Sequence, residues 1–169
     1  MTSSSAPQSA AGTSVFTDHH DLRARHRRAV EQYLRTSAEA RLSRYTLYTR
    51  DGTASLFYTD IGRPIVVTGR QKLRRHGELS LRVLPDWQWF DVHIHETADP
   101  SVIWVECGGE GTIRFPGYRE GRYRNHFIHR FTLRGGQIAA SREYTNPIEH
   151  MKSLGIATPH IRRDWIPST

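Results

Sequence analysis

The stretch from residue 123 to 155 constrains the fold more than any other part of the chain, because it combines two β-rich runs, a two-glycine turn and a helix start. Gly135-Gly136 separates the two runs, and two glycines there accept the positive φ angles of a tight primed turn. After the second run, Asn146-Pro147 with Glu149 is typical of a helix N-terminus, and Gly155 of a helix end. The sequence therefore predicts a β-hairpin that leads directly into a short helix.

A two-residue turn also fixes the register of the hairpin. The opposed pairs on the apolar face would be Leu133 and Ile138, Phe131 and Ala140, and Phe127 and Tyr144. Glu143 then falls on the other, less apolar face, near the end of its strand. Either that face lines a cavity, or a β-bulge turns Glu143 toward the apolar side, and the sequence leaves both possibilities open.

The length of 169 residues fits one domain that buries roughly two-thirds of its unfolded surface. Residues 1–16 are mostly small and uncharged, so we expect a disordered tail followed by a single domain over 17–169. No run approaches the length needed to span a membrane, and we predict no membrane partner. The lone cysteine, Cys107, excludes a disulfide framework and favours a cytoplasmic location.

The formal net charge of +7 comes mostly from arginine, which suits both nucleic acids and small carboxylates. The arginines cluster at 23–28 and 70–75, within predicted helices, where solvated faces are the simpler interpretation. Aromatic residues that could stack on bases are not interleaved with them. We therefore predict no nucleic-acid partner.

Hydrophobic periodicity places helices before strands. The predicted helices cover 18–35, 37–43 and 68–84, the last opened by a Thr68 and Gln71 capping box and closed by Pro85. The predicted strands before the hairpin cover 45–50 and 53–60, around an Asp51-Gly52 turn, and then 87–96, 101–107 and 111–115. This order predicts an α+β fold in which a strongly bent, mainly antiparallel sheet wraps around three helices, with a short helix after the last strand.

The third predicted helix carries the best indication of a pocket outside the hairpin. Leu73, Gly77, Ser80 and Leu84 fall within about 40° of one line, with His76 about 60° to one side. Small and polar residues on a core-facing stripe cost stability unless they line a cavity. We expect this face to form one wall of the cavity that the bent sheet encloses.

Several short motifs, read in order, point to a family. The YTRDG segment, the third helix and the strands that follow resemble the nuclear-transport-factor-2-like (NTF2-like) superfamily, also called SnoaL-like. A narrower set resembles the phenazine-biosynthesis protein A/B family over about Asp21 to Pro167. That set comprises WVEC at 104–107, GEG at 109–111, IRFPGY at 113–118, YRNHF at 123–127, Arg142-Glu143, Asn146-Pro147 and SLGI at 153–156.

The resemblance implies a small dimeric enzyme that joins two molecules of an aminocyclohexenone carboxylic acid head to tail into a tricyclic phenazine precursor, without a cofactor. The family's catalytic glutamate and histidine fall on Glu143 and His76. Arg44, Ser80 and Tyr123 match positions that line the substrate pocket. On the residues alone, Glu143 could be an exposed strand residue, His76 a core histidine and Arg44 a solvated helix-end arginine.

Two alternatives to this condensing enzyme stay open. In the first, the same cavity and carboxylate catalyse ketone isomerisation or epoxide hydrolysis. In the second, the protein is a binding protein without catalysis.

His93 and His95 would share one strand face, as two metal ligands would, but no third ligand stands at a diagnostic spacing. We therefore predict no metal site.

Overall fold

The structure is a computed structural model that describes residues 11–160 and 162. The helices are α1 (Ala11–Tyr33), α2 (Ala38–Ser43), a 3-10 turn (Arg44–Leu47), α3 (Arg70–Val83) and α4 (Pro147–Ser153). The strands are β1 (Tyr48–Leu56), β2 (Ile65–Thr68), β3 (Gln88–Glu96), β4 (Val102–Ile113), β5 (Gly121–Arg134) and β6 (Gln137–Thr145). They form one sheet in the order β2-β1-β6-β5-β4-β3, in which the β1–β6 pair is parallel and every other pair antiparallel. The predicted α+β fold, a bent sheet around helices, is confirmed.

Helix α1 packs on the inner face of the sheet through one stripe of side chains. Val30 and His26 are buried, as are Ala29 and Tyr33. The Tyr33 ring meets Phe131 of β5 edge-on at 5.0 Å between centroids, which joins helix to sheet. The helix begins at Ala11 and ends at Tyr33, whereas the sequence predicted Asp18 to Arg35. Of the predicted tail, residues 1–10 lie outside the described residues and 11–16 belong to α1.

The first strand differs from its prediction. β1 runs without interruption from Tyr48 to Leu56, so the predicted turn at Asp51-Gly52 is wrong. Those residues fall instead within a register shift between Tyr48 and Thr53 against β6. A bulge accommodates the same Asp-Gly pair that a tight turn would, because both need a locally irregular backbone.

The start of α3 also differs. Thr68 ends strand β2, which pairs with β1, and the helix is capped by Gly69 at φ 85° without any side-chain bond. The predicted Thr68 and Gln71 capping box is therefore wrong, while the end before Pro85 is confirmed. Strand β2 was missed because Ile65–Thr68 is short and lies at the sheet edge.

The long hairpin is β5 and β6, and its turn is confirmed. Gly135 and Gly136 both have positive φ, 59° and 85°. Asn146 caps α4 by accepting a hydrogen bond from the Ile148 N–H at 3.0 Å, and Gly155 ends that segment at φ 74°. The cap directly follows Thr145, the last residue of β6. The glycine turn therefore fixes the start of this strand, and the start of α4 fixes its end.

None of the helices within residues 11–160 combines the length and the apolar character that crossing a lipid bilayer requires.

Candidate active site

A β-bulge in the hairpin decides where Glu143 points. Leu133 pairs with Ile138 as predicted, but Thr132 pairs with Ala140, so β6 has one residue more than β5 at this point. From there the predicted register is wrong by one residue, and His129 pairs with Glu143. Directly opposed residues share a face, and His129 faces the core. The bulge therefore turns Glu143 to the inner face, which is one of the two possibilities that the sequence left open.

Three adjoining cavities lie under the inner face. The middle one, about 190 Å³, is bounded by Glu143, His76, Tyr33 and Ser141. A small one of about 60 Å³ shares Tyr33 and His76 with it and adds Arg41, Arg44 and Ser80. A third, of about 290 Å³, lies on the other side of Glu143 and is lined by Tyr123, Phe127, His150 and Leu154 among others. Glu143 is thus part of the wall between the middle cavity and the third cavity, which form the two compartments of the site.

The Glu143 side chain is mostly buried, and the 31% of it that is exposed borders the two cavities. Burial raises the pKa of this group to about 7, and the positive charge of Arg44 opposes that rise. Near neutral pH the side chain is therefore present in both protonation states. A carboxyl in this condition can donate a proton in one step and accept one in the next.

His76 lies on α3 across the middle cavity from the sheet, beside the small residues predicted to form a cavity wall. Its side chain is exposed at the cavity edge. Partial desolvation, and then the charge of Arg44, lower the pKa of His76. Gly77 also allows α3 to approach α2, since a Cβ there would meet the Arg41 carbonyl oxygen at 3.2 Å.

Two arginines give the small cavity its charge. Arg44 stacks on the Tyr33 ring at 4.5 Å and donates one bond to the Arg35 carbonyl at 3.1 Å. Its Nε is buried and has no partner among the described residues, which leaves a donor beside the cavity. Arg41 is buried and donates to the Ser80 carbonyl at 2.9 Å and to the Ser80 hydroxyl at 3.2 Å. Ser80 is thus positioned by a buried cation that the sequence did not single out.

Tyr123 lies in the larger compartment, away from Arg44 and Ser80. Its hydroxyl accepts a hydrogen bond from Asn125 at 2.9 Å, and burial raises its pKa. His150 of α4, which the sequence did not indicate, packs against the Tyr123 ring at 5.4 Å between centroids. The predicted site residues therefore divide between two regions, with Glu143 bordering the side that holds Tyr123 as well as the side that holds His76.

His129 is the functional candidate that sequence reasoning missed most clearly. It is fully buried, and its Nδ1 lies 3.7 Å from Glu143 Oε2. The signal was present, because His129 stands between Phe127 and Phe131 in a strand whose alternate residues face the core.

Among residues 11–160 and 162, no group of three His, Cys, Asp or Glu side chains is arranged to hold a metal ion. His93 and His95 stack on β3 with centroids 6.4 Å apart. Both side chains are exposed, and they lie outside the three cavities.

A bent, mainly antiparallel sheet wrapped around helices is the fold of NTF2-like or SnoaL-like proteins. A SnoaL-like protein from Jannaschia shares this fold, with a TM-score of 0.57 at 14% identity over 92% of this chain and 100% of that one. The sequence is more specific, since the family model of phenazine biosynthesis protein A/B matches residues 8–168. The chain belongs to that family.

Individual relatives agree with this membership. Phenazine biosynthesis protein PhzB of Pseudomonas fluorescens is 49% identical over 153 residues, which cover 90% of this chain and 94% of that protein. PhzA of the same organism is 45% identical over 154 residues, covering 91% and 94%. The crystal structure of a phenazine biosynthesis-related protein from Pseudomonas aeruginosa matches with a TM-score of 0.87 at 44% identity, covering 90% and 99%. The family match supports a role in phenazine biosynthesis.

The raised pKa of Glu143 predicts a pH-dependent stability. The group titrates at about 7 when folded and near its ordinary value of 4.5 when unfolded, so its ionisation opposes folding. This destabilisation is absent below pH 4.5, grows between 4.5 and about 7, and is complete above 7. We expect Glu143→Gln to be more stable than wild type by about 1–3 kcal/mol at pH 8, with a much smaller difference at pH 5. Urea unfolding of both proteins at equal concentration checks this, and an advantage that does not change with pH would contradict it.

Proposed function

We propose that this protein is a phenazine-biosynthesis enzyme that condenses two molecules of an aminocyclohexenone carboxylic acid through imine formation. The observation that carries the proposal is the position of Glu143, a carboxyl with a pKa of about 7 in the wall between two compartments. A proton-transfer group there would reach a bond formed between one molecule in each compartment. Membership of the phenazine biosynthesis protein A/B family supports this choice of substrate class.

Each imine needs two protons to move from the nitrogen to the oxygen. The amine nitrogen of one molecule forms a bond to the ketone carbon of the other, the nitrogen loses its first proton, and the carbonyl oxygen takes one to become a hydroxyl. A second proton on that hydroxyl lets the C–O bond break and water leave, the nitrogen loses its second proton, and one C=N bond and one water result. We assign protonation of the leaving oxygen and deprotonation of nitrogen to Glu143 and His76, which border the same cavity. Burial raises the pKa of Glu143 to about 7, so its carboxyl can hold a proton near neutral pH, and desolvation lowers the pKa of His76, so its imidazole is neutral there and can accept one.

Substrate positioning is assigned to the polar groups at the two ends. Arg44 is the cation for one substrate carboxylate, because its Nε–H is buried beside the small cavity without a partner. Ser80 completes the polar lining of the small cavity, and Tyr123 adds a polar group to the third cavity, on the other side of Glu143. Holding two reactants in register removes the entropy cost of their encounter, and we expect this to be the larger part of catalysis.

The test is direct. The aminoketone acid is mixed with the protein, and the tricyclic product is followed by mass spectrometry against an identical mixture without protein, because the substrate can condense unaided. Faster appearance of the product with protein supports the proposal. Equal rates would leave a binding protein as the better description.

We also propose a homodimer that pairs through the outer face of the sheet. Ile128 on that face is 46% exposed, in a row with Glu106 and Tyr144. Trp104 stacks on Tyr144 at 6.4 Å between centroids, which adds two half-buried aromatic rings to this face. Apolar side chains grouped on an exposed sheet face are typical of an interface.

Sedimentation velocity at micromolar concentration should show a dimer for the wild type and a shift toward monomer for Ile128→Glu. Leu79→Glu places the same charge on an exposed apolar residue of α3 and should leave the dimer intact. A monomeric wild type would contradict the prediction.

A further inference from the structure

His129 has an unusual position for a histidine. It is fully buried in the middle of β5, where its ring stacks between Phe127 at 6.1 Å and Phe131 at 5.9 Å, and Trp89 meets its edge at 5.3 Å. An apolar ring would fit this aromatic stack without a desolvation cost. Neither ring nitrogen has a hydrogen-bond partner within the described part of the chain. A buried polar group without a partner is costly and calls for a functional explanation.

Glu143, on the neighbouring strand, brings a carboxylate acceptor close to this ring. Nδ1 of His129 lies 3.7 Å from Oε2 of Glu143, which is longer than a hydrogen bond. The imidazole is packed among aromatic rings, whereas the Glu143 side chain borders cavity space into which it can rotate. A small rotation of the carboxylate would bring Oε2 within hydrogen-bond distance of Nδ1.

We propose that His129 is a positioning residue that donates its Nδ1–H to the Glu143 carboxylate whenever Glu143 has given up its proton. This inference rests on the proposed role of Glu143 in proton transfer. The protonated carboxyl needs no donor and turns toward the cavity, while the carboxylate is held at the wall. His129 thus fixes both the direction and the proton affinity of the group that does the chemistry.

The charge state of His129 agrees with this role. Burial, and then the charge of Arg44, lower the pKa of His129 to about 3, so the ring is neutral near pH 7 and carries one N–H. A neutral donor stabilises the carboxylate without neutralising it as a cation would. Titratable or charged groups that face the pair from the elements packed against it include Tyr33 from α1, Arg44 from the 3-10 turn, His76 from α3, Cys107 from β4 and Tyr123 from β5.

The test measures the titration of Glu143 itself, so it does not depend on turnover. The side-chain carboxyl carbon of glutamate is labelled with ¹³C, and the Glu143 signal is identified by its absence in Glu143→Gln. His129→Phe keeps the aromatic stack and removes the donor, and should raise the Glu143 midpoint by about one pH unit. His129→Asn, which offers an amide N–H near the position of Nδ1, should restore much of the wild-type value.

Two further variants make the result decisive. His129→Leu is a second side chain without a donor and should shift the midpoint in the same direction as His129→Phe. His126→Phe makes the same change three residues earlier, on the outer face, and should leave the midpoint unchanged. An unchanged or lowered midpoint in both His129→Phe and His129→Leu overturns the inference.

Activity then separates this inference from the proposed function. If the protein accelerates tricycle formation, the acid limb of its kcat/KM profile should move upward with the Glu143 midpoint in His129→Phe, and return in His129→Asn. If the protein shows no acceleration, the proposed function fails while the titration still decides whether His129 holds Glu143. If the role of His129 were purely structural, His129→Phe would lower the stability of the protein but would move neither the Glu143 midpoint nor the acid limb of the kcat/KM profile.

Discussion

Glu143→Gln should lower catalysed tricycle formation by roughly two to four orders of magnitude, toward the rate without protein. Glutamine keeps the shape of the side chain and can accept a hydrogen bond, but it cannot exchange a proton. Because proton transfer is assigned to Glu143 and His76 together, the substitution leaves His76 alone to serve both the oxygen and the nitrogen. The loss should appear in kcat, with substrate affinity largely retained.

Turnover and the affinity for a substrate analogue are measured side by side for the two proteins. Glu78→Gln is the matched control, since Glu78 is exposed on α3 and pairs with Arg74 at 3.1 Å, away from the cavities. It should behave as wild type. Unchanged turnover in Glu143→Gln would remove Glu143 from the mechanism, even if the protein proved to be a condensing enzyme.

Much of the fold follows from local patterns in the sequence. The two-glycine turn, the Asn146 cap and the end of α3 before Pro85 were all predicted and are confirmed, because each depends on neighbouring residues alone. Errors occurred where the backbone is irregular. At Asp51-Gly52 an irregular backbone was predicted as a turn, while the structure has a bulge inside a continuous strand.

Backbone irregularity also limited the prediction of the site. The alternation of side chains along a strand predicts the face of Glu143 only if the strand is regular, and one extra residue in β6 moves Glu143 to the opposite face. Arg41 was missed for a different reason. An arginine in a short helix is ordinarily solvated, and its burial against the end of α3 depends on contacts with residues some forty positions away.

Arg44 gives the second large expected effect. Arg44→Gln removes the cation beside the small cavity, and we expect the affinity for a carboxylate substrate to fall about 100-fold, since charge-assisted bonds are among the strongest in a partly dry site. Arg44→Lys restores the charge without the planar guanidinium that stacks on Tyr33, so it should recover only part of the affinity. The Arg28→Gln variant, on an exposed position of α1, serves as the control.

Two readouts identify how Arg44 acts. If its charge holds the substrate carboxylate, the loss should be large for the acid and small for the corresponding methyl ester. Because the same charge opposes the rise in the Glu143 pKa, removing it should also move the acid limb of the rate profile to higher pH. The sign is fixed by electrostatics, since a nearby cation favours the carboxylate form. Equal losses for acid and ester would show that Arg44 supports the pocket through packing, and an unmoved limb would show that its charge does not reach Glu143.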